Sequence, residues 1–141
     1  MKALIDTCII IDALQSREPF KDEAESIFLQ AANKQFDGFI TAKSSMDIYY
    51  LTHKCTHSDV DTRKILSNLY VIFDILDTTE LDCRKAISSD ISDYEDAVMS
   101  ETAIRTKMDC IVTRNIKDYC KSFIPIYLPI DFLKLLNQEI V

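Results

Sequence analysis

Short, almost wholly apolar runs alternate along this chain with longer stretches in which apolar residues recur every three or four positions. Runs at residues 3–5, 38–40, 70–76, 110–113 and 125–128 have the length and the β-branched or aromatic content of buried strands. Between them the spacing predicts helices over residues 8–14, 20–34, 44–54, 59–69, 81–88 and 93 to about 107. A turn or two of helix follows at 116–121, and a last helix covers about 130–137. In the stretch 20–34, Ala24, Ile27, Phe28, Ala31 and Ala32 fall on one side of a helical period. Ser44 and Asp47 stand at capping-box spacing. Apolar strands separated by amphipathic helices predict an α/β chain, three-layer α/β/α around a central, mainly parallel sheet. No repeat, low-complexity segment or linker interrupts the pattern, so residues 1–141 read as a single domain.

Composition narrows this further. One glycine and three prolines leave too few tight turns for a β-sandwich or barrel. No apolar run approaches the roughly 20 residues of a membrane span. Asp6 and Asp12 interrupt the N-terminal apolar stretch that a signal peptide needs. Cys8, Cys55, Cys83, Cys110 and Cys120 are odd in number, scattered and without a CxxC, which suits reduced thiols packed as small hydrophobes. The expectation is a cytoplasmic protein with no membrane association.

Charge complicates the choice of partner. A net charge of -7 opposes binding to nucleic acid. Acids gathered around a divalent ion reverse that sign locally, so the question is whether distant acids meet. In a parallel sheet, ligands settle beyond the carboxyl ends of the strands. Asp6 ends the first expected strand, and Asp47 lies in the first turns of the helix after the second. Asp93 and Asp96, three apart, open the helix before strand four, and Thr113, Arg114, Asn115, Lys117 and Asp118 follow that strand's last residues. Singly, each acid has an ordinary use as a cap or a first-turn complement to the helix dipole. Convergence on one sheet edge is what suggests a site. Asp12, Glu18, Asp22, Glu23 and Glu25 read as solvated helix faces.

The segments LIDTC, SSMDIYYL, DYEDA and IVTRN-KDY, in that order, resemble the successive motifs of PIN-domain ribonucleases over nearly the whole chain. The lengths between them suit the compact bacterial members, including VapC-type toxins. The resemblance implies an acid cluster that binds Mg²⁺ or Mn²⁺ and hydrolyses single-stranded RNA. It also implies a toxin that forms a homodimer and is held by a basic antitoxin protein. Carried onto this chain, Asp6 and Asp96 would be the principal metal ligands, with Asp47 and Asp118 as further catalytic acids. Asp47 stands where the family usually has glutamate, and its shorter arm favours contact through water. Asn115 stands where many members have a fourth aspartate, a loss for which Asp118 can compensate. Cys8 replaces an asparagine or serine and removes one polar contact. Thr113, Arg114, Asn115 and Lys117 would bind substrate, Arg114 and Lys117 by charge on flanking phosphates. Lys43, Lys54, Arg105 and Lys107 read first as solvated helix faces.

The departures at Asp47 and Asn115 feed a second reading, a catalytically weakened PIN fold used as an RNA-binding or protein-interaction module. Other chemistries lack residues. His53 and His57 have the spacing of one helix face, but nothing nearby completes a transition-metal site. The segment DTC lacks the second aspartate of a haloacid-dehalogenase-type phosphatase, and no acid pair with a late-strand lysine marks a receiver domain.

Overall fold

A computed structural model describes residues 1–139; the last two residues of the expected domain lie outside them. Along the chain run β1 (Lys2–Ile5), α1 (Thr7–Leu14), α2 (Lys21–Ala32), β2 (Asp37–Thr41), α3 (Ala42–Thr56) and α4 (Asp59–Ile72). They continue as β3 (Asp74–Leu76), α5 (Glu80–Ile87), α6 (Tyr94–Arg105), β4 (Cys110–Val112), a 3₁₀ turn (Ile116–Tyr119), β5 (Ile126–Tyr127) and α7 (Pro129–Glu139). The strands form one sheet in the order β3-β2-β1-β4-β5, and every neighbouring pair is parallel.

Alternation along the central strands explains the three layers. Ala3 and Ile5 of β1, Ile40 of β2, and Cys110 and Val112 of β4 face one side, where they pack with apolar residues of α1, α2, α3, α4 and α7. Leu4 and Ile111 face the other side and pack against Met99 and Ala103 of α6, with Met108 and Tyr119. Both faces are covered, so the strands carry no polar alternation. Strand order reverses between β1 and β4, which places the ligand-binding crevice of such a sheet at the ends of these two strands. Among the described residues no helix is long and apolar enough to cross a membrane.

Two boundaries differ from expectation for identifiable reasons. Residues 70–72, expected to begin the third strand, complete α4, and β3 starts only at Asp74. Leu66, Leu69 and Phe73 are buried in helical succession, and this tertiary anchoring outweighs the strand-like composition of the segment. At α3, Thr41 rather than Ser44 is the cap: its hydroxyl accepts from the Ser44 backbone N–H at 3.0 Å. The helix therefore begins earlier and carries Lys43, Ser44 and Asp47 in its first two turns. His57 adopts a left-handed conformation (φ 53°) at the end of α3, so it leaves the face it was expected to share with His53.

The single glycine, Gly38, serves a close approach. A Cβ there would stand 2.7 Å from Cδ1 of the buried Phe73 ring. Gly38→Ala is expected to destabilise the fold by about 1–3 kcal/mol, the usual range for overpacking. Urea denaturation measures it, and an unchanged midpoint would show that Phe73 yields without strain.

Candidate active site

Asp6 extends the β1 ladder, its backbone N–H donating to Val112 O at 3.0 Å. It then caps α1. Its Oδ1 accepts from the Thr7 backbone N–H at 2.8 Å, and its Oδ2 accepts from the Thr113 hydroxyl at 2.7 Å. Thr113 Oγ1 in turn accepts from the Asn115 backbone N–H at 3.0 Å. Thus the turn after β4 holds a carboxylate that β1 delivers. Burial raises the Asp6 pKa, an effect countered in part by Thr113, the Thr7 N–H, the Cys8 thiol and the charge of Arg114. Cys8 thereby retains a polar contact to Asp6. Its own thiol is pushed up to about 11, first by burial and then by the Asp6 charge.

Asp96 lies in the first turn of α6, capped by Asp93, whose Oδ1 accepts from the Asp96 N–H at 3.0 Å. The Tyr119 hydroxyl donates to Asp96 Oδ1 at 3.0 Å. Burial raises the Asp96 pKa to about 6 despite the Tyr119 hydrogen bond, and the charges of Asp6, Asp93 and Asp118 push the same way. Asp96 therefore lies near enough to Asp6 for that charge to act on it.

The third acid arrives from α3. Asp47 Oδ2 and Lys43 Nζ are 2.5 Å apart, and the same Nζ lies 3.1 Å from Glu95 Oε2 on α6. Asp6, Asp47, Glu95, Asp96 and Asn115 all line one cavity of about 460 Å³, together with Lys43 and a hydroxyl cluster at its base. In that cluster the Thr7 and Thr41 hydroxyls each donate to Ser44 Oγ at 3.0 Å. Acids separated by as many as 90 positions therefore meet in one crevice at the switch point (Asp6 to Asp96). Asp118 and Lys117 lie exposed on the 3₁₀ turn just beyond it, Asp118 close enough to act on Asp96.

One expectation is corrected. Asp12 is not on a solvated face: it is 1% exposed, and Arg114 clamps it through Nε to Oδ2 at 2.6 Å and Nη2 to Oδ1 at 3.2 Å. Arg114 also lies 3.9 Å from the centre of the Phe20 ring. Its guanidinium is thus engaged within the protein through Nε and Nη2. Arg105 is exposed, as expected, and its guanidinium also reaches the buried Asp82 (Nε to Oδ1, 2.8 Å), which ties α6 to α5. Sequence reasoning passed over Glu95 and Tyr119. The tyrosine carried a faint signal, since it closes the last quoted motif, directly after Asp118.

The donor set suits a hard, hydrated cation. Asp96 Oδ2 has no hydrogen-bond partner among the described residues, and Asp6 faces the same cavity. Mg²⁺ needs only one or two protein carboxylates because it keeps several waters. Among the described residues no group of three or more His, Cys, Asp or Glu is gathered closely enough to hold an ion by itself.

Without metal, Asp96 makes stability depend on pH in a defined direction. Its folded pKa exceeds the unfolded value, so between about pH 4 and 6 the folded chain holds a proton that the unfolded chain has released. Stability from this group is therefore present at the acid end and falls as pH rises through that window. At pH 7 in EDTA, Asp96→Asn is expected to be more stable than the parent by about 1–2 kcal/mol, discounted because the carboxyl is only half buried. Near pH 4 the difference should vanish. Equal stabilities at pH 7 would contradict the assigned cost of burying this carboxylate beside its acidic neighbours.

An acid-lined crevice at the switch point of a five-stranded parallel sheet defines a PIN-type α/β/α fold. The chain belongs to the PIN-domain family, whose model matches residues 2–117. Among solved structures it is similar to a toxin–antitoxin complex from Klebsiella pneumoniae, at 25% identity and TM-score 0.65, over 90% of this chain and 97% of that one. It also shares the fold of VapBC2 from Rickettsia felis bound to a promoter DNA fragment, at 16% identity and TM-score 0.64, covering 91% and 98%. FitAcB from Neisseria gonorrhoeae matches at 15% identity and TM-score 0.66, covering 90% and 97%. Compared with curated proteins, the sequence finds no match.

Proposed function

We propose that this protein is a Mg²⁺- or Mn²⁺-dependent endoribonuclease that hydrolyses single-stranded RNA as the toxin of a toxin–antitoxin pair. The observation that carries the reading is the meeting of Asp6, Asp47 and Asp96 in one crevice. When bound, a divalent ion supplies charge neutralisation at the phosphate and a water acidic enough to attack near neutral pH. Asp6 and Asp96 are the residues that hold it. Thr7 and Thr113 fix Asp6 in place, and Tyr119 fixes one oxygen of Asp96, so the two carboxylates are positioned before substrate arrives. Asp118 adds negative charge at the rim, while Asn115 and Lys117 offer an amide and a cation to the RNA. Cys8 is no nucleophile here, because a thiol held near 11 stays protonated.

The toxin assignment draws on the Klebsiella relative, a toxin–antitoxin complex. A net charge of -7 suits a basic antitoxin, and a homodimer follows by analogy with the family. The engagement of Asp47 by Lys43 favours the second reading, a binding module with weakened catalysis.

Incubation of the purified protein with labelled single-stranded RNA decides between them. Cleavage is expected with Mn²⁺ or Mg²⁺ and is abolished by EDTA. Cleavage that persists undiminished in both Asp6→Asn and Asp96→Asn would mark a contaminating nuclease and overturn the assignment. Binding without cleavage would favour the module.

A further inference from the structure

Lys43 occupies a position that local physics disfavours. It is the second residue of α3, where the positive end of the helix dipole repels a cation. Its partner Asp47 lies four residues later, the less favourable order for a helical ion pair. Yet its side chain is held in the catalytic crevice between Asp47 and Glu95, at 2.5 and 3.1 Å, and is only 35% exposed. Burial alone would lower its pKa, but the hydrogen bonds to the two carboxylates outweigh this and keep it charged. A local rule broken at a cleft is characteristic of a functional position.

The lining of the crevice sharpens the point. Among the described residues it contains four carboxylates, those of Asp6, Asp47, Glu95 and Asp96, and one cation, Lys43. Arg114, expected together with Lys117 to hold flanking phosphates, is paired with Asp12. Among the described residues that line the crevice, Lys43 is therefore the cation an entering RNA strand meets.

We propose that Lys43 is the substrate-phosphate-binding cation of this site, and that its grip on Asp47 and Glu95 keeps those acids away from the ion held by Asp6 and Asp96. The inference rests on the ribonuclease reading and adds to it a residue and an arrangement of charge. Glu95 is 69% exposed in its side chain, so its contact with Lys43 yields readily to an incoming phosphate. Asp47 stays with Lys43 as the fixed partner that orients the ammonium.

Lys43→Met separates these roles, since it keeps length and removes charge. The substrate KM is expected to rise about tenfold, the effect of losing one charge-assisted phosphate contact. Mn²⁺ affinity, measured by calorimetry without RNA, is expected to move oppositely and tighten several-fold, because a repelling ammonium has gone and two carboxylates are released. A surface lysine with no role would leave both unchanged, and a merely structural one would not tighten the metal. An unaltered KM, or Mn²⁺ binding no tighter than the parent's, overturns the proposal while leaving the ribonuclease reading intact. Absence of metal-dependent cleavage in the parent protein contradicts that reading, and the phosphate-binding role with it.

Discussion

Asp96→Asn should lower the rate of RNA cleavage by about 10²–10³-fold, and Asp6→Asn by at least as much. The amide is nearly isosteric with the carboxylate. In Asp96→Asn its oxygen can still accept from Tyr119, so the fold and the crevice persist. In Asp6→Asn the oxygen can still accept from the Thr7 N–H, although the Thr113 hydroxyl loses its acceptor. What disappears in each case is one of the two negative charges proposed to hold the cation. Removing a group that only orients a metal ligand typically costs 10–100-fold, and a direct ligand more. Asp47→Asn should act less, because Asp47 is paired with Lys43. A steady-state assay on one labelled oligonucleotide ranks the three variants. Asp47→Asn as damaging as Asp6→Asn would show that the glutamate-to-aspartate change still ligates directly.

The largest stability effect is expected at Arg114. Asp12 is all but fully buried, and Arg114 provides both of its charge-assisted hydrogen bonds. Arg114→Ala leaves a carboxylate uncompensated in the interior and is expected to cost about 3–5 kcal/mol. Against a typical domain stability of about 5–15 kcal/mol, such a loss can unfold much of the population at physiological temperature. Contact with the Phe20 ring is lost as well. Replacing both partners together, as Asp12→Leu with Arg114→Met, should recover most of the loss, because the pair's own net contribution is small. Urea denaturation of the two single variants and the double variant measures the coupling. Were Arg114 chiefly an RNA ligand, Arg114→Ala would leave stability within about 0.5 kcal/mol of the parent.

The contrast between Asp6 and Asp12 shows what a sequence makes legible. Both acids interrupt the apolar segment KALIDTCIIID, and both are buried. Asp6 could be recognised because strand-end position and the matching motifs give it a role independent of its neighbours. Asp12 could not, because its partner lies 102 residues away and pairing depends on where the turn after β4 returns. The central strands were legible for a related reason. Three consecutive apolar residues in β1 or β4 admit one solution, a strand covered on both faces.

Lys43 illustrates the opposite limit. Seen along α3, it is a lysine four residues before an aspartate, indistinguishable from a surface pair. Its role emerges only when α6 brings Glu95 to the same ammonium. The overrun of α4 into residues expected as strand has the same origin: Phe73, packed edge-on against Phe28, decides where the helix ends. Composition at that point carries no such information.

Titration of Mn²⁺ into the metal-free protein by calorimetry tests most directly whether the carboxylates act as one cation site. Saturable binding by the parent, lost in both Asp6→Asn and Asp96→Asn, is the expected result. No binding at millimolar Mn²⁺, or equal binding by the parent and both variants, would contradict it.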